Sequence, residues 1–324
     1  MKKSIILIAI VLLGGILMKN IFSSTGDNGK PRSLYKSDKG RKTAMESYDK
    51  AMKLWSVDFA DDWVDTDYGR THVVVSGPVK GKPLFLIPGL FADAAMWYAN
   101  AGDLSEQYRV YTLDMINYAG KSEPAGKAVL KAEDYAAWFQ AVIKHFGYDK
   151  AAIAGLSYGS YISLAIAREI PDSIAAMVLM DPSESFATMD GGIAWKGFWA
   201  FAFFPNREKY GKFFDWMGGG YTDPSMDVWF EHMLDCIEFS TLKIYDLIQQ
   251  IYTREELLMV KMPVLVMAGG KPILYKDPVK FAAAVKEALP HAEMEIVPDA
   301  GHGLNMEKPE YVNKRTLEFL SRNY

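Results

Sequence analysis

Ser157 is the residue of this chain best placed to do covalent chemistry. It stands between Gly155 and Gly159, after a short apolar run and before a stretch of small residues with helical character. A serine on a sharp turn from strand to helix presents its hydroxyl at the end of a sheet, and glycines flank such a turn because side chains there would clash. The pattern predicts a nucleophilic serine, with a serine in an ordinary glycine-rich loop as the alternative.

A serine hydroxyl needs a base to remove its proton, so a histidine must lie near it. Of the five histidines, His302 lies in Asp299 to Leu304, DAGHGL, after the last apolar run and with a glycine on either side. This loop leaves the imidazole free to project and predicts His302 as the general base. His232 has the spacing to share a helix face with Asp235 and Cys236. A satisfied helix face is the favoured interpretation there, and a metal site is the alternative.

Two backbone amides are expected to stabilise the oxyanion that forms when a serine attacks a carbonyl. The apolar run Leu84 to Ile87 leads into the turn Pro-Gly-Leu-Phe, and the position of this turn predicts the amide of Phe91 as one donor. The amide of Tyr158, directly after the serine, is predicted as the other. An ordinary turn is the alternative for the first donor.

Short apolar or alternating runs recur along the chain and predict strands at Thr71 to Val75, Leu84 to Ile87, Val110 to Leu113, Ala151 to Gly155, Met177 to Met180, Val264 to Ala268 and Met294 to Val297. Stretches of helical period lie between most of them, including Ala132 to Phe146, Tyr161 to Glu169, Pro278 to Leu289 and Pro309 to Arg322. Alternation of this kind predicts an α/β protein with a mostly parallel sheet and helices on both faces. Ligands bind such a sheet at the carboxyl ends of its strands, where Ser157 falls.

One long insertion interrupts the alternation, from about Pro182 to Val260. It reads as helices and turns, and its first half is dense in aromatic residues, from Phe186 to Trp216. We interpret it as a helical cap inserted after the strand that ends near Met180, with some aromatics lining an apolar substrate pocket. The alternative is that they form only the small core of the cap.

The first residues predict a membrane or export signal. Lys2 and Lys3 precede a continuous apolar run from Ser4 to Met18, which Lys19 follows. The run is short for a membrane span, and no A-x-A-like cleavage site follows it. We therefore expect an uncleaved signal anchor, with a cleaved signal peptide or a buried helix as alternatives, and a catalytic domain outside the cytoplasm. The predicted division is residues 1–21 as the signal segment, 22–42 as a linker and 43–324 as the catalytic domain, with the cap at 182–260.

Composition limits the classes of partner. The 324 residues are half hydrophobic, enough for a large core, and carry a net charge of −4. Such a charge argues against nucleic acid, because no basic stripe is available to neutralise phosphates. Cys236 is the only cysteine, so the domain is expected to be stable without disulfides.

At the level of motifs the chain resembles the α/β-hydrolase superfamily from about Tyr48 to Phe319. More narrowly, YGRTHVVVSGP at Tyr68 to Pro78, AMWY at Ala95 to Tyr98, DMINYAGKS at Asp114 to Ser122 and DAGH at Asp299 to His302 are similar to carboxylesterases of Bacillus type. The resemblance implies ester hydrolysis through an acyl-serine intermediate on small to medium apolar esters, with no cofactor or metal. Thioester, amide or carbon–carbon bond hydrolysis by the same fold, and a tethered binding protein without efficient catalysis, remain alternatives.

The chain departs from the family pattern at two prolines. Pro88 occupies a position where histidine is usual, and Pro272 occupies the position expected for the acid that orients the histidine. Asp181 is the favoured substitute, because it ends the strand beside the one carrying the serine, and adjacent strands lie about 4.8 Å apart. An acid on this strand is similar to lipases of the pancreatic type. Asp277, otherwise a helix cap, and the absence of any acid are the alternatives.

Overall fold

The protein is described by a computed structural model over residues 33–201, 204–220, 223–241 and 249–324. The predicted signal segment, residues 1–21, and most of the predicted linker lie outside these ranges. Within the ranges described, no helix combines the length and the apolarity needed to cross a bilayer.

A sheet of nine strands forms the centre of the described chain. The strands are β1 (Phe59–Thr66), β2 (Gly69–Ser76), β3 (Lys82–Ile87), β4 (Tyr108–Leu113), β5 (Glu123–Pro124), β6 (Ala151–Leu156), β7 (Ile174–Met180), β8 (Val264–Gly269) and β9 (Glu293–Val297). Their order is β1-β2-β4-β3-β6-β7-β8-β9, with β5 beside β2. The first two strands pair antiparallel, β2 is antiparallel to β4, and every pairing from β4 to β9 is parallel.

Helices connect the strands and cover the sheet. They are α1 (Asp38–Ala51), α2 (Tyr98–Ser105), α3 (Ala132–His145), α4 (Tyr158–Glu169), α5 (Gly191–Phe201), α6 (Arg207–Met217), α7 (Pro224–Phe239), α8 (Pro278–Ala288), α9 (Leu304–Glu307) and α10 (Pro309–Asn323). A 3-10 turn at Ala94–Trp97 precedes α2. The predicted α/β class with a mostly parallel sheet is confirmed.

Both faces of the sheet are buried. Successive side chains of a strand point to opposite sides, so one strand contributes to both cores. On β3, Phe85 and Ile87 join one hydrophobic core, which also contains side chains of α3, α4 and α8. Leu84 and Leu86 join the other, which contains side chains of α1, α2 and α10. The central strands therefore read as continuous apolar runs rather than alternating ones.

The predicted linker is wrong at its end. Residues 34 and 35 are buried, Tyr35 forms a bridge with Ser240, and α1 begins at Asp38, capped by the side chain of Ser37. Helix α1 packs its buried residues, including Tyr48, against α7 and the sheet. The polar composition of this stretch hid the helix, since only a narrow stripe of it is apolar. Strands β1 and β5 were also absent from the prediction.

Helices α5, α6 and α7 lie between β7 and β8, in the part of the chain interpreted from sequence as a cap. Asn206 and Asp223 cap the starts of α6 and α7 with their side chains. Arg207 ties the two helices together through Asp235 and Glu238 at 2.7 and 3.2 Å.

Candidate active site

Ser157 lies on the turn between β6 and α4, in a backbone conformation that non-glycine residues rarely adopt (φ 57°, ψ −122°). Both flanking positions require glycine, because backbone atoms of other residues lie very close to them. A Cβ at Gly155 would lie 2.5 Å from the carbonyl of Gly159, and one at Gly159 would lie 2.4 Å from the carbonyl oxygen of Pro88. The turn is thus a strained one that only small neighbours permit, as a nucleophile elbow requires.

Asp181 and His302 form a buried hydrogen-bonded pair. His302 Nδ1 lies 2.6 Å from Asp181 Oδ2, and the two residues are 8% and 3% exposed. The other carboxylate oxygen, Oδ1, accepts from the Gly269 amide of β8 at 3.3 Å, and the Asp181 amide donates to Met267 O at 2.7 Å. Asp181 follows β7 directly, so two neighbouring strands hold its carboxylate beneath the imidazole.

The loop carrying His302 is held by a buried carboxylate that the sequence reasoning missed. Glu307 accepts from the Gly301 amide at 2.6 Å and from the Gly303 amide at 2.9 Å. Burial raises the pKa of Glu307, and the two amide donors oppose that shift. The His302 amide in turn donates to Met217 O at the end of α6. A glutamate five residues after a candidate base, at the end of a short helix, was the available signal.

The predicted oxyanion turn lies against the serine. A Cβ at Gly89 would be 3.7 Å from Ser157 Cβ, and the Ala92 amide closes the turn on Gly89 O. Phe91 has a φ of 64°, and both Leu90 and Phe91 line the cavity that contains Ser157. Tyr158 begins α4 beside them. The assignment of the donor role to the amides of Phe91 and Tyr158 stays a prediction.

Strand ends at this edge share an unusual backbone conformation. Phe91, Ser157, Asp181 and Asp299 follow β3, β6, β7 and β9, and all have φ between 42° and 64°. Non-glycine residues in this region store strain and cluster at functional sites. The sharp turns send the chain back across the strand ends, which brings the four loops to one place.

Two buried aspartate–histidine pairs fix the chain that follows the oxyanion turn. Asp93 and Asp114 accept from the Ala95 and Ala94 amides at 3.0 and 2.8 Å, at the start of the 3-10 turn. The same carboxylates meet His232 Nε2 at 2.6 Å and His72 Nδ1 at 2.9 Å.

Both histidines are placed to be charged. The Ser47 hydroxyl donates to Ala44 O, so it accepts from His232 Nδ1 at 3.0 Å. Burial disfavours the charge of His232, but Asp93 and Cys236 together outweigh this effect and raise the pKa of His232 well above its usual value. His72 contacts a carboxylate at each ring nitrogen, Asp114 and Asp61, and its pKa is also raised despite burial.

The partners of the sequence-predicted His232 cluster differ from expectation. Asp235 pairs with Arg207, and Asp93 replaces it beside His232 and Cys236. The 2.6 Å contact between His232 and Asp93 has the length of a charge-assisted hydrogen bond.

An apolar cavity of about 150 Å³ opens onto the serine and the histidine. Its walls come from the oxyanion turn, the end of β6, the helices of the insertion and the His302 loop. Six methionines line it, namely Met96, Met189, Met217, Met226, Met233 and Met306. Of the aromatics in the first half of the insertion, Phe213 and Phe214 line the cavity, and Trp229 and Phe230 of α7 join them. Methionine side chains adapt their shape, so the cavity suits apolar groups of varied outline.

The alternative acid lies elsewhere. The Asp277 carboxylate accepts from the Val279 and Lys280 amides at 3.1 Å and caps α8. Pro272 lines a separate surface groove with Asp277. Asp181 is the acid that the fold brings to His302.

A parallel sheet with a strained serine elbow, a histidine loop after the last strand and a buried acid defines the class of α/β hydrolases. The model of the alpha/beta hydrolase fold family matches residues 82–210. Carboxylesterase YbfK of Bacillus subtilis is 29% identical over 292 residues, covering 85% of this chain and 92% of that protein. The crystal structure of naproxen esterase from the same organism superposes with a TM-score of 0.79 at 28% identity, covering 88% of this chain and 99% of that one. The structure of YbfK itself superposes equally well, with a TM-score of 0.79 at 27% identity. The chain therefore has the α/β-hydrolase fold and is similar to the Bacillus carboxylesterases.

Proposed function

We propose that this protein is a serine hydrolase of carboxylic esters that works through an acyl-serine intermediate. The observation that carries the proposal is the 2.6 Å contact between buried Asp181 and His302, because His302 lines the same cavity as Ser157. The likeness to carboxylesterases over most of the chain supports the reaction class.

In the proposed mechanism His302 removes the hydroxyl proton of Ser157 as the oxygen attacks the ester carbonyl. Asp181 accepts the hydrogen bond of Nδ1, which fixes the tautomer with Nε2 facing the serine and stabilises the imidazolium that forms. The amides of Phe91 and Tyr158 stabilise the oxyanion. His302 then protonates the leaving alcohol and activates water to release the acid.

We infer the substrate class from the cavity. Among the described residues, apolar side chains form most of its lining, and Tyr158, Ser183 and Gln249 add polar groups besides the serine and histidine. A cavity of about 150 Å³ fits an acyl or alcohol group of small to medium size. Esters with such apolar groups are therefore the proposed substrates.

Hydrolysis of p-nitrophenyl esters of increasing acyl length by the wild type and by Ser157→Ala tests the proposal. We expect the wild type to hydrolyse short and medium esters and to be labelled covalently by a fluorophosphonate, and Ser157→Ala to do neither. A serine that resists labelling in a folded wild-type protein would make the binding-protein alternative the better one.

We also propose that the N-terminal residues hold the protein at a membrane with its catalytic domain outside the cytoplasm, or else direct its secretion. The support is the apolar run from Ser4 to Met18 and the basic residues that flank it. Cell fractionation with an alkaline wash tests it: an anchored protein stays with the membranes and keeps its N-terminal mass. A protein recovered whole from the cytoplasm would contradict both forms of the proposal.

A further inference from the structure

The exposed aromatic residues of the described chain are concentrated on the inserted helices. Trp195 and Trp199 of α5 are 63% and 40% exposed, and Phe204, in the turn before α6, is 77% exposed. The two indoles pack against each other, with ring centroids 5.6 Å apart. Aromatic side chains placed together at a surface mark an interaction site rather than chance exposure.

Lysines surround these rings. A groove between α5 and α6 is lined by both tryptophans and by Lys196, Lys209 and Lys212. Lys196 Nζ lies 4.8 Å from the ring centroid of Trp216. Lys212 pairs with Glu208 at 2.6 Å, yet none of the described residues that line the groove is acidic. We call this surface the aromatic–basic face; its residues are Trp195, Lys196, Trp199, Phe204, Lys209 and Lys212.

The aromatic–basic face adjoins the active-site cavity. Ile193, two residues before Trp195 on the same helix, lines the cavity with Ser157. Phe213 lies between the two, because it lines both the cavity and the groove. The groove and the cavity therefore share a wall at Phe213.

The described chain also begins on this side of the molecule. Lys36 donates to Glu238 O at 2.7 Å, and Arg207 contacts the Glu238 carboxylate at 3.2 Å. Arg207 follows Phe204 by only three residues. The stretch between Met18 and Ser33 spans at most about 50 Å when fully extended. An apolar segment before it therefore keeps the body close to any membrane it enters.

We propose that the aromatic–basic face docks on an anionic lipid surface and that ester substrates enter the cavity from that surface. Indole rings favour the boundary between headgroups and acyl chains, and lysines beside them reach anionic headgroups. A second copy of the chain fits the face poorly, because an isologous contact would bring two sets of three lysines together. The inference rests on the proposed ester hydrolysis and adds that the ester substrates are dissolved in a lipid phase.

The test uses the full chain with vesicles of phosphatidylcholine and phosphatidylglycerol that carry bromine atoms on their acyl chains. The bromine atoms quench the fluorescence of nearby tryptophans. Trp55 is the first tryptophan of the chain, so quenching reports the body rather than the N-terminal segment. The double variant Trp195→Ser/Trp199→Ser removes the two exposed indoles. Phe59→Ser, an exposed aromatic on β1, is the matched control.

We expect quenching of the wild type and of Phe59→Ser that grows with the phosphatidylglycerol fraction, and loss of most of it in the double variant. Hydrolysis of a long-chain ester dissolved in the vesicles should fall about ten-fold in the double variant, as interfacial binding scales with buried apolar area. Hydrolysis of soluble p-nitrophenyl butyrate should not change.

Vesicle-bound wild type without quenching would overturn the inference, and so would a double variant that hydrolyses the vesicle ester as fast as the wild type. Dimers in sedimentation equilibrium that the double variant abolishes, together with absent quenching, would assign the face to a second copy and overturn it too. Wild type that hydrolyses neither ester would instead refute the proposed function, so the two failures are distinguishable.

Discussion

At the scale of single residues, the pair of Asp181 and His302 combines a buried carboxylate with a short, fixed hydrogen bond. The carboxylate is buried, is held by the Gly269 amide and lies 2.6 Å from the imidazole. Gly269 belongs to the neighbouring strand β8, so its amide holds the Asp181 carboxylate in a fixed position beside the imidazole. The position after β7 thus compensates for the proline found where the family pattern expects its acid.

Asp181→Asn is expected to lower kcat by about four orders of magnitude, because an amide favours the wrong imidazole tautomer and does not stabilise the imidazolium. Ester hydrolysis with matched protein concentrations measures it, and circular dichroism checks the fold. Asp277→Asn, which only weakens a helix cap, serves as the control and should keep full activity. A large loss in the control with little loss in Asp181→Asn would move the acid to α8.

Glu307→Gln is expected to lower kcat by about 10- to 100-fold with little change in KM, since it loosens the His302 loop without touching the cavity. A glutamine accepts through one oxygen, so one of the two amide bonds is lost. Each bond to a charged group contributes about 1.5–3 kcal/mol, and the free energy of unfolding should fall by a similar amount. Steady-state kinetics and urea unfolding measure the two effects.

The matched control is Glu310→Gln, an exposed glutamate in the first turn of α10. It should leave both quantities unchanged. Unaltered kcat in a destabilised Glu307→Gln protein would limit Glu307 to a structural role.

At the scale of elements, the buried pair of Asp93 and His232 joins the segment after the oxyanion turn to α7. Helix α7 also supplies part of the cavity wall, through Trp229 and Met233. One ion pair therefore ties the predicted oxyanion turn to the cavity wall, and its loss is expected to affect both.

His232→Leu is expected to lower the free energy of unfolding by about 3–5 kcal/mol near pH 6, because it leaves Asp93 buried without its partner. The folded pKa of His232 is raised above the unfolded value of about 6.5, so its contribution is fully present below that pH. The contribution is lost as the pH rises through the folded pKa. The difference between wild type and variant should thus shrink in the alkaline range.

Urea unfolding at a series of pH values from 6 to the alkaline range measures this difference. His145→Leu, which replaces an exposed histidine on α3, is the control and should show little pH-dependent change. A constant difference across the series would mean that His232 is neutral in the folded protein.

At the scale of the whole molecule, α1, the first helix of the described residues, is part of the folded body that carries the candidate active site. Ser47 accepts from His232, and Tyr48, fully buried, donates to Asp114 at 3.4 Å. Helix α1 thus completes both aspartate–histidine pairs behind the predicted oxyanion turn.

We expect a chain that starts at Ser33 to fold and to hydrolyse soluble esters like the full protein. A chain that starts at Trp55 should lose several kcal/mol of stability, since it exposes the core beneath Tyr48, Ala51 and Met52 and unpairs buried polar groups. Thermal unfolding and ester hydrolysis of the two fragments test it. Equal stability would show that α1 is dispensable.

The sequence alone determined the fold class, the serine elbow and the histidine loop. These features are local: Gly155, Ser157 and Gly159 act within one turn, and the strands read as apolar runs because both faces of the sheet are covered. His302 could be found for the same reason, since its glycines and its place after the last strand lie within a few residues.

Only the tertiary structure decided which charged groups meet. Asp93 lies 139 residues from His232, and Asp181 lies 121 residues from His302, so no local pattern marks either contact. For Asp181 the order of the strands allowed a prediction, because β6 and β7 are neighbours. For Asp93 and helix α1 the partner depends on how loops and helices pack around the sheet. A buried charge is stable only beside a partner, and that partner can come from any part of the chain that folding brings close. The linear sequence does not show which part that is.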